Sequence, residues 1–494
     1  MDKLSPEIYS LILAHVVADA VPAPRRHGLA TVSRKWQALV EPLAFAGIHL
    51  WLDDEDVAAF ADAFRSPRRR TLLRRLIVRF NPPTDGKSRR RHDVNSAALT
   101  AVLTALLAHL ATWEPTGRSL ELSFSCYQRR KTPSRRYLTL TQSESTLPPA
   151  VPCITSLNIH AGRGRALHPS SICTLAARLP NLQALTLRTF TPPPSRPELR
   201  KALRTALADG LNALTLPSLR RLELNQAPPL EIYAHSFPCG DPAAASTDPL
   251  NTALRRLAQR TPLTSLILTD MMISPDLFTG GPGALWPTLH VFAIEANALA
   301  PSGAWYWTGD PVSTRACTPP ERDDYDAGYQ YMFPPPPPDE DPNSEPESDF
   351  AADAVRNGYE PKHEWRDTPD DAKLTPLLVA MARAVQGMPN LRTGSVYLEH
   401  DLVYRSRLGC NEIAIACAAA GERFERSWDE DDDVGRGVRR CKVWVDTAAG
   451  WAVPDQVRDA WQEWLGETGV FETGYFRPLH DDGSVVGGTD AWNW

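Results

Sequence analysis

The segment PNLQALTL (residues 180–187) returns as PSLRRLEL (217–224), and more loosely as PLTSLIL (262–268) and PTLHVFAI (287–294). In each copy a proline sets the entry, a leucine follows, and two apolar residues separated by a single residue close it. Residues two apart share one face of a strand, so every copy predicts a short strand with one buried side. Ile154, Leu157 and Ile159 precede the series, and Leu391 to Leu398, behind Pro389 and Asn390, form a frayed last copy. Leu73, Leu76, Val78 and Phe80, then Leu120, Leu122 and Phe124, predict earlier strands of the same stack. Helical stretches stand before several copies, at Ser171–Leu179, Leu199–Leu211 and Leu250–Arg260. A strand that recurs behind a helix predicts parallel pairing through right-handed crossovers, and therefore an α/β fold.

The closing apolar residues Ile159, Leu187, Leu224, Leu268 and Ile294 are 28, 37, 44 and 26 residues apart. Leucine-rich repeats run at about 20–29 residues, so two intervals must hold insertions, in the proline-rich stretches 188–200 and 226–249. The expectation is an irregular leucine-rich-repeat-like solenoid. The alternative is an ordinary α/β domain whose Pro-x-Leu strand entries merely look periodic. Between 310 and 372 the composition changes, with five prolines at 334–338 and an acidic run from Asp339 to Asp349. Such a segment has too little apolar surface to order itself, and it predicts a disordered acidic, proline-rich insertion. Beyond it, Val443 to Val445 predict a strand and Pro454 opens a helix with Val457, Trp461, Trp464 and Leu465 on one face. Trp444 and Trp451 are expected to pack against that helix.

Outward to the N-terminus, LSPEIYSLILAHVV (4–17) places Leu4, Ile8, Leu11, Ile12 and Val16 on a helix that Ser5 caps and Pro6 begins. Pro22 and Pro24 stop it. A second helical stripe runs through Leu29, Val32, Trp36, Leu39 and Val40, with a chain break predicted at Glu41-Pro42. So short a segment holds more apolar surface than it can bury on itself, and that surplus predicts docking, either onto a partner or as a cap on the body behind it.

Leu4, Glu7 and Ile8, then Ile12 and Leu13, then Val32-Ser33-Arg34-Lys35-Trp36 resemble the opening, first helix and Val-Ser-basic-basic-Trp element of an F-box. Phe45 and Leu50 fall at fitting distances, and the layout is similar to the fungal branch of that family. Proline stands at position 6, one place later than the usual Leu-Pro. The resemblance covers about a tenth of the chain. It implies a Skp-type adaptor as partner, bound through Leu4, Pro6, Ile8, Ile12, Val32 and Trp36, and through that adaptor a cullin–RING ubiquitin ligase.

Composition narrows the other classes. The chain has 494 residues, a net charge of −6 and 43% hydrophobic residues, so two or three globular regions are expected. Residues 1–140 hold 22 Lys+Arg against 13 Asp+Glu, a surplus of 9 that leaves the remainder at −15. The clusters Arg68–Arg70, Arg89–Arg91 and Arg129–Lys131 lie beside prolines or in polar connections without interleaved aromatics. They predict solvated loops and not a nucleic-acid site. Val94 to Trp113 carries no Asp, Glu, Lys or Arg, yet Leu99, Val102, Leu103, Leu106, Leu107 and Leu110 make a one-sided stripe, which predicts a core helix and no membrane span. His109 on that helix is expected to be a satisfied or surface histidine. Eight cysteines without a C-x-x-C pair and the lack of any Asn-x-Ser/Thr sequon fit a cytoplasmic or nuclear protein. No P-loop, G-x-S-x-G, G-x-G-x-x-G or H-E-x-x-H occurs, so no enzyme activity, cofactor or metal is expected.

These readings divide the chain into an F-box-like helical module (1–50), a repeat-like α/β domain (51–309), the insertion (310–372), and a terminal repeat with a Trp-rich C-terminal cap (373–494). The expected function is a substrate-recognition adaptor whose repeat-like domain holds an unknown protein substrate. A non-ubiquitin interaction scaffold is the second expectation, with the N-terminal helices only capping the solenoid. A hydrolase or transferase with a pocket along the repeats is a third.

Overall fold

The computed structural model describes residues 34–83, 89–115, 119–126, 137–140, 149–160, 166–190, 197–227, 247–280, 285–309, 368–400, 411–424, 437–446 and 451–474. They fall into two compact units, one of residues 1–188 with 214–219, the other of 189–213 with 220–494. The division lies inside the stretch 51–309 that the sequence presents as one domain. Among the described residues the fold is mixed α/β, with nine α-helices and strands that are mostly parallel.

In the first unit α1 (Arg34–Ala44), β1 (Gly47–Trp51), α2 (Asp54–Ala63), α3 (Pro67–Arg70), β2 (Arg75–Phe80), α4 (Arg89–Ala111), β3 (Glu121–Cys126), β4 (Ser156–His160), α5 (Pro169–Ala176) and β5 (Ala184–Phe190, whose first five residues belong here) follow in order. The strands pair in chain order, every pair parallel. Their register stacks two apolar ladders. One is Ile48, Leu76, Leu122, Leu157 and Leu185, and the other is Leu50, Val78, Phe124, Ile159 and Leu187. All but Ile48 are at most 5% exposed, and full burial of such a side chain contributes about 1.5–3 kcal/mol. The two strands expected ahead of the repeats are β2 and β3.

Helix α4 shows the burial its leucine spacing predicts. Leu99, Leu103, Leu106, Leu107 and Leu110 are buried while Ala101, Ala105 and Ala108 face solvent. By length and composition its segment Asp93–Ala111 is also long and apolar enough to cross a membrane. His109 is satisfied as expected: its Nε2 accepts from Trp113 Nε1 at 3.3 Å. Burial first, and the Arg70 charge second, hold its pKa below the ordinary histidine value.

Two sequence expectations are corrected in this unit. Glu41-Pro42 does not break the chain, because α1 runs on through Pro42 to Ala44. Proline withdraws one N–H, but the helix continues past it, with Phe45 N–H donating to the Glu41 carbonyl at 2.9 Å. Nor is Arg68–Arg70 a solvated loop. It forms α3, and its guanidinium groups answer the buried carboxylate of Glu41, whose side chain is 3% exposed. Arg69 Nη2 donates to Glu41 Oε1 at 3.2 Å and Gln37 Nε2 donates to it at 2.9 Å, while Arg68 Nη2 lies 3.4 Å from Oε2. A carboxylate so placed must be paired. The Arg69 guanidinium also sits 5.0 Å from the Phe45 ring centre and that of Arg70 5.5 Å from Trp113. These caps close an aromatic cluster of Phe45, Phe60, Phe64 and Trp113. Arg89–Arg91 likewise begin α4 and are not a connection; Arg129–Lys131 lie outside the described residues.

The second unit contains α6 (Pro197–Ala213), β6 (Arg221–Ala227), α7 (Pro249–Arg260), β7 (Ser265–Met271), β8 (Val291–Asn297), β9 (Trp307–Thr308), β10 (Thr368–Pro369), α8 (Asp371–Gln386), β11 (Thr393–His400), β12 (Asn411–Ala418), β13 (Arg440–Asp446), α9 (Asp455–Leu465) and β14 (Val470–Gly474). Strands β6, β7, β8 and β11 are parallel neighbours. The frayed last copy is therefore a strand of this sheet, β11. Next to it β12 runs antiparallel to both β11 and β13, and β14 returns parallel to β13 across α9. The helix expected from Pro454 is α9, with Pro454 as its N-cap and Val457, Trp461, Trp464 and Leu465 buried.

Trp444 does not occupy the place expected of it. Trp444 clusters with Tyr397, Ala414, Ala416, Ala418 and Phe424, its ring edge-on to Phe424 at 5.5 Å. Strand alternation explains this, since Trp444 points away from the face that Val443 and Val445 occupy. Trp451 donates its indole N–H to Asp371 Oδ1 at 2.7 Å, at the start of α8. The expected insertion is shorter than 310–372 on its C-terminal side. Thr368 and Pro369 pair antiparallel with β9, and Asp370 caps α8 by accepting from Ala372 N at 3.1 Å. Residues 310–367 lie outside the described residues.

Candidate docking faces

Of the residues the sequence singles out for adaptor binding, Leu4, Pro6, Ile8, Ile12 and Val32 lie outside the described residues. Trp36 falls on helix α1. That helix is held to α3 through Glu41. Leu43 near its C-terminal end and Trp51 at the end of β1 are exposed large apolar side chains, at 51% and 42%.

The residues between the buried ladders form a second candidate site, one that no sequence motif marks. In the first unit they alternate onto the opposite face of β1–β5. The register sets Trp51, Arg79, Ser125 and His160 in one row, and His49, Ile77, Ser123, Asn158 and Thr186 in the row beside it. Arg188, next after Leu187, takes the same face by alternation. His49, Trp51, Arg75, Arg79 and Arg188 are exposed. Arg75 pairs with Glu121 at 3.1 Å. Asn158 Oδ1 is shielded from solvent with no hydrogen-bond partner. The signal was present in the sequence as the outward residue of each L-x-L pair. What it lacked was the pairing that turns isolated residues into rows.

The corresponding face of β6–β8 presents Glu223, Asn225, Asp270 and Glu295, all partly buried, and Arg221, which pairs with Glu223 at 3.2 Å. Asp270 occupies the left-handed region (φ 56°) where the β7–β8 register skips between Leu268 and Met271. Such a bulge re-aims a side chain, and aspartate tolerates that conformation better than most residues. Asn225 Nδ2 lies 3.5 Å from Asp270 Oδ2, and Thr189 Oγ1 donates to the Asn225 carbonyl at 3.4 Å. Burial, and then the charge of Glu295, push the Asp270 pKa up to about 6, with the Asn225 contact opposing.

The folded state therefore prefers Asp270 protonated. Its contribution to stability is present in full below the unfolded value, about 4, and is lost as pH rises through about 6. Asn at this position keeps the shape, accepts the left-handed backbone and removes the charge. Asp270→Asn is expected to raise the melting temperature at pH 8 and leave it nearly unchanged at pH 4. Thermal melts of both proteins across that range check this; equal shifts at both ends would rule out the titration.

Chemistry in the described residues is sparse. No group of three or more His, Cys, Asp or Glu side chains is placed to hold a metal ion among them. The described cysteines 126, 153, 173, 417 and 441 are buried and unbridged. Burial raises Cys153 to about 11 and Cys173 to about 12, and drives Cys417 and Cys441 higher still. These are poor nucleophiles at neutral pH. His168, with its pKa lowered by burial, accepts at Nδ1 from Ser170 N at 3.3 Å and so caps α5. No protein-family model matches the chain, and no curated protein matches it.

Proposed function

We propose that this chain is a substrate-recognition adaptor of a Skp–cullin–F-box type ubiquitin ligase. Its N-terminal helices dock the Skp-type adaptor, and an irregular leucine-rich-repeat-like body presents a protein substrate. The observation that carries the reading is the F-box-like pattern Leu4, Pro6, Ile8, Ile12, Val32 and Trp36, placed directly ahead of a β/α body with open polar faces. The helix bearing Trp36 packs on that body through the Glu41 ion pairs, which supports a module fixed in orientation. In this role the chain performs no bond chemistry. It raises the local concentration of a substrate lysine near another enzyme's thioester, and proximity alone is worth several kcal/mol of barrier.

The test is co-purification with a Skp-type adaptor, wild type beside an Ile8→Asp/Ile12→Asp variant whose folding is checked by circular dichroism. Each docked isoleucine contributes about 1.5–3 kcal/mol, so the variant is expected to lose capture by at least about a hundredfold. A folded wild type that captures no adaptor overturns the proposal. It would leave a scaffold whose N-terminal helices only cap the body.

A further inference from the structure

We infer that the open face of β1–β5 binds an acidic, extended protein segment, and this deepens the adaptor reading by naming the chemical class of its substrate. It rests on that reading only in calling the bound segment a substrate; the binding itself does not. Two observations carry it. First, the side chains of Trp51, Arg79 and Arg188 on this face are exposed. Second, the strand residues of this face carry more cations than carboxylates. Among the described residues Arg79 and Arg188 make no ion pair, and Glu121, the carboxylate that the register places among those strand residues, lies 3.1 Å from Arg75. A two-cation surface with its own acid neutralised is complementary to carboxylates.

The dimensions fit. Five strands about 4.8 Å apart span about 19 Å, the length of roughly six extended residues. Trp51 at the β1 edge and Arg188 on β5 mark the two ends of that path, with Arg79 beside Trp51 in its row. Carboxylates two or four residues apart on the segment fall on the side facing the sheet. The favoured ligand is protein and not single-stranded nucleic acid. A nucleic-acid platform stacks successive bases on several aromatic rings, and the described part of this face offers one indole, at its edge.

The experiment uses the full chain and a fluorescein-labelled twelve-residue Asp/Glu-rich peptide, read by anisotropy at low salt. The same peptide with Asn and Gln throughout and a single-stranded RNA of equal charge serve as comparisons. Expected is binding of the acidic peptide that weakens with salt and falls at least tenfold in Arg79→Glu/Arg188→Glu. Both substitutions are at exposed positions, and folding is verified by circular dichroism. Equal binding of the amide peptide, tighter binding of the RNA, or indifference to the charge reversal overturns the inference. Adaptor capture is measured on the same variant. If peptide binding is lost while capture persists, the two sites are separate and both proposals stand. If the wild type binds peptide but captures no adaptor, the face survives and the ligase reading falls.

Discussion

Asp248→Ala is expected to lower the unfolding free energy of the second unit by about 3–5 kcal/mol, the usual result of stranding one member of a buried ion pair. Arg204 and Asp248 are 8% and 6% exposed, and they meet in a bidentate fork, Nε to Oδ1 at 2.7 Å and Nη2 to Oδ2 at 2.8 Å. The same guanidinium donates to the Met272 carbonyl at 2.8 Å. Asp248 also caps α7, its Oδ2 accepting from Asn251 N at 2.7 Å, while its own N–H is held by Asp276 at 2.8 Å. Alanine removes the cap, which alone costs about 1 kcal/mol, and leaves a buried guanidinium without its counter-charge. The double variant Arg204→Met/Asp248→Asn keeps an acceptor at the cap and removes both charges. It is expected to recover more than half of the loss. Urea unfolding of the two variants and the wild type decides the matter, and a loss below about 1 kcal/mol in Asp248→Ala would show the pair to be solvated.

Gly394→Ala is expected to cost about 3 kcal/mol, the upper end of ordinary overpacking penalties. Gly394 on β11 faces Phe292 on β8 in register, and a Cβ there would stand 2.3 Å from the ring's Cε1 and 2.4 Å from Cζ. The ring has little room to retreat, because Phe292 is fully buried between Phe278 at 6.3 Å and Trp286 at 6.2 Å. The methyl must push the β8–β11 pair apart or drive the ring off its rotamer. Phe292→Leu in the Gly394→Ala background should restore part of the stability, although Phe292→Leu alone is destabilising. A chemical denaturation cycle over the four proteins measures the coupling. Simple additivity of the two losses would refute the collision.

The sequence was most legible where one physical rule acted alone. Leu222 and Leu224, or Leu266 and Leu268, announce a strand because a two-residue period has one structural meaning. Pro454 announces a helix start because proline is pre-organised for a helix's first turn. Contacts between distant residues were not legible. Arg69 and Glu41 are 28 positions apart, and neither differs in sequence from a solvated charge. Arg204 looks like an ordinary helix-surface cation until Asp248 is placed beside it. The reversal at β12 was hidden as well. Ile413, Ala414, Ile415, Ala416, Cys417 and Ala418 are all buried, so no alternation records which way the strand runs. The basic face became visible only through strand register, and five of the six positions proposed to bind an adaptor lie outside the described residues.

The chain-order pairing of β1 to β5 bears on how the molecule is made. Each of these strands needs a partner completed shortly before it, 28 residues earlier for β2 on β1 by the register Gly47–Arg75. The first unit can therefore assemble strand by strand as it leaves the ribosome, with no segment waiting exposed for a distant one. The β8–β11 pair is different, since Val291 must find Thr393, 102 residues later. Closing that loop costs about 1 kcal/mol more entropy than closing the β1–β2 one. During synthesis β8 is thus left with an unpaired edge while the whole acidic insertion is translated, and this is the interval in which a nascent chain of this protein most needs a chaperone.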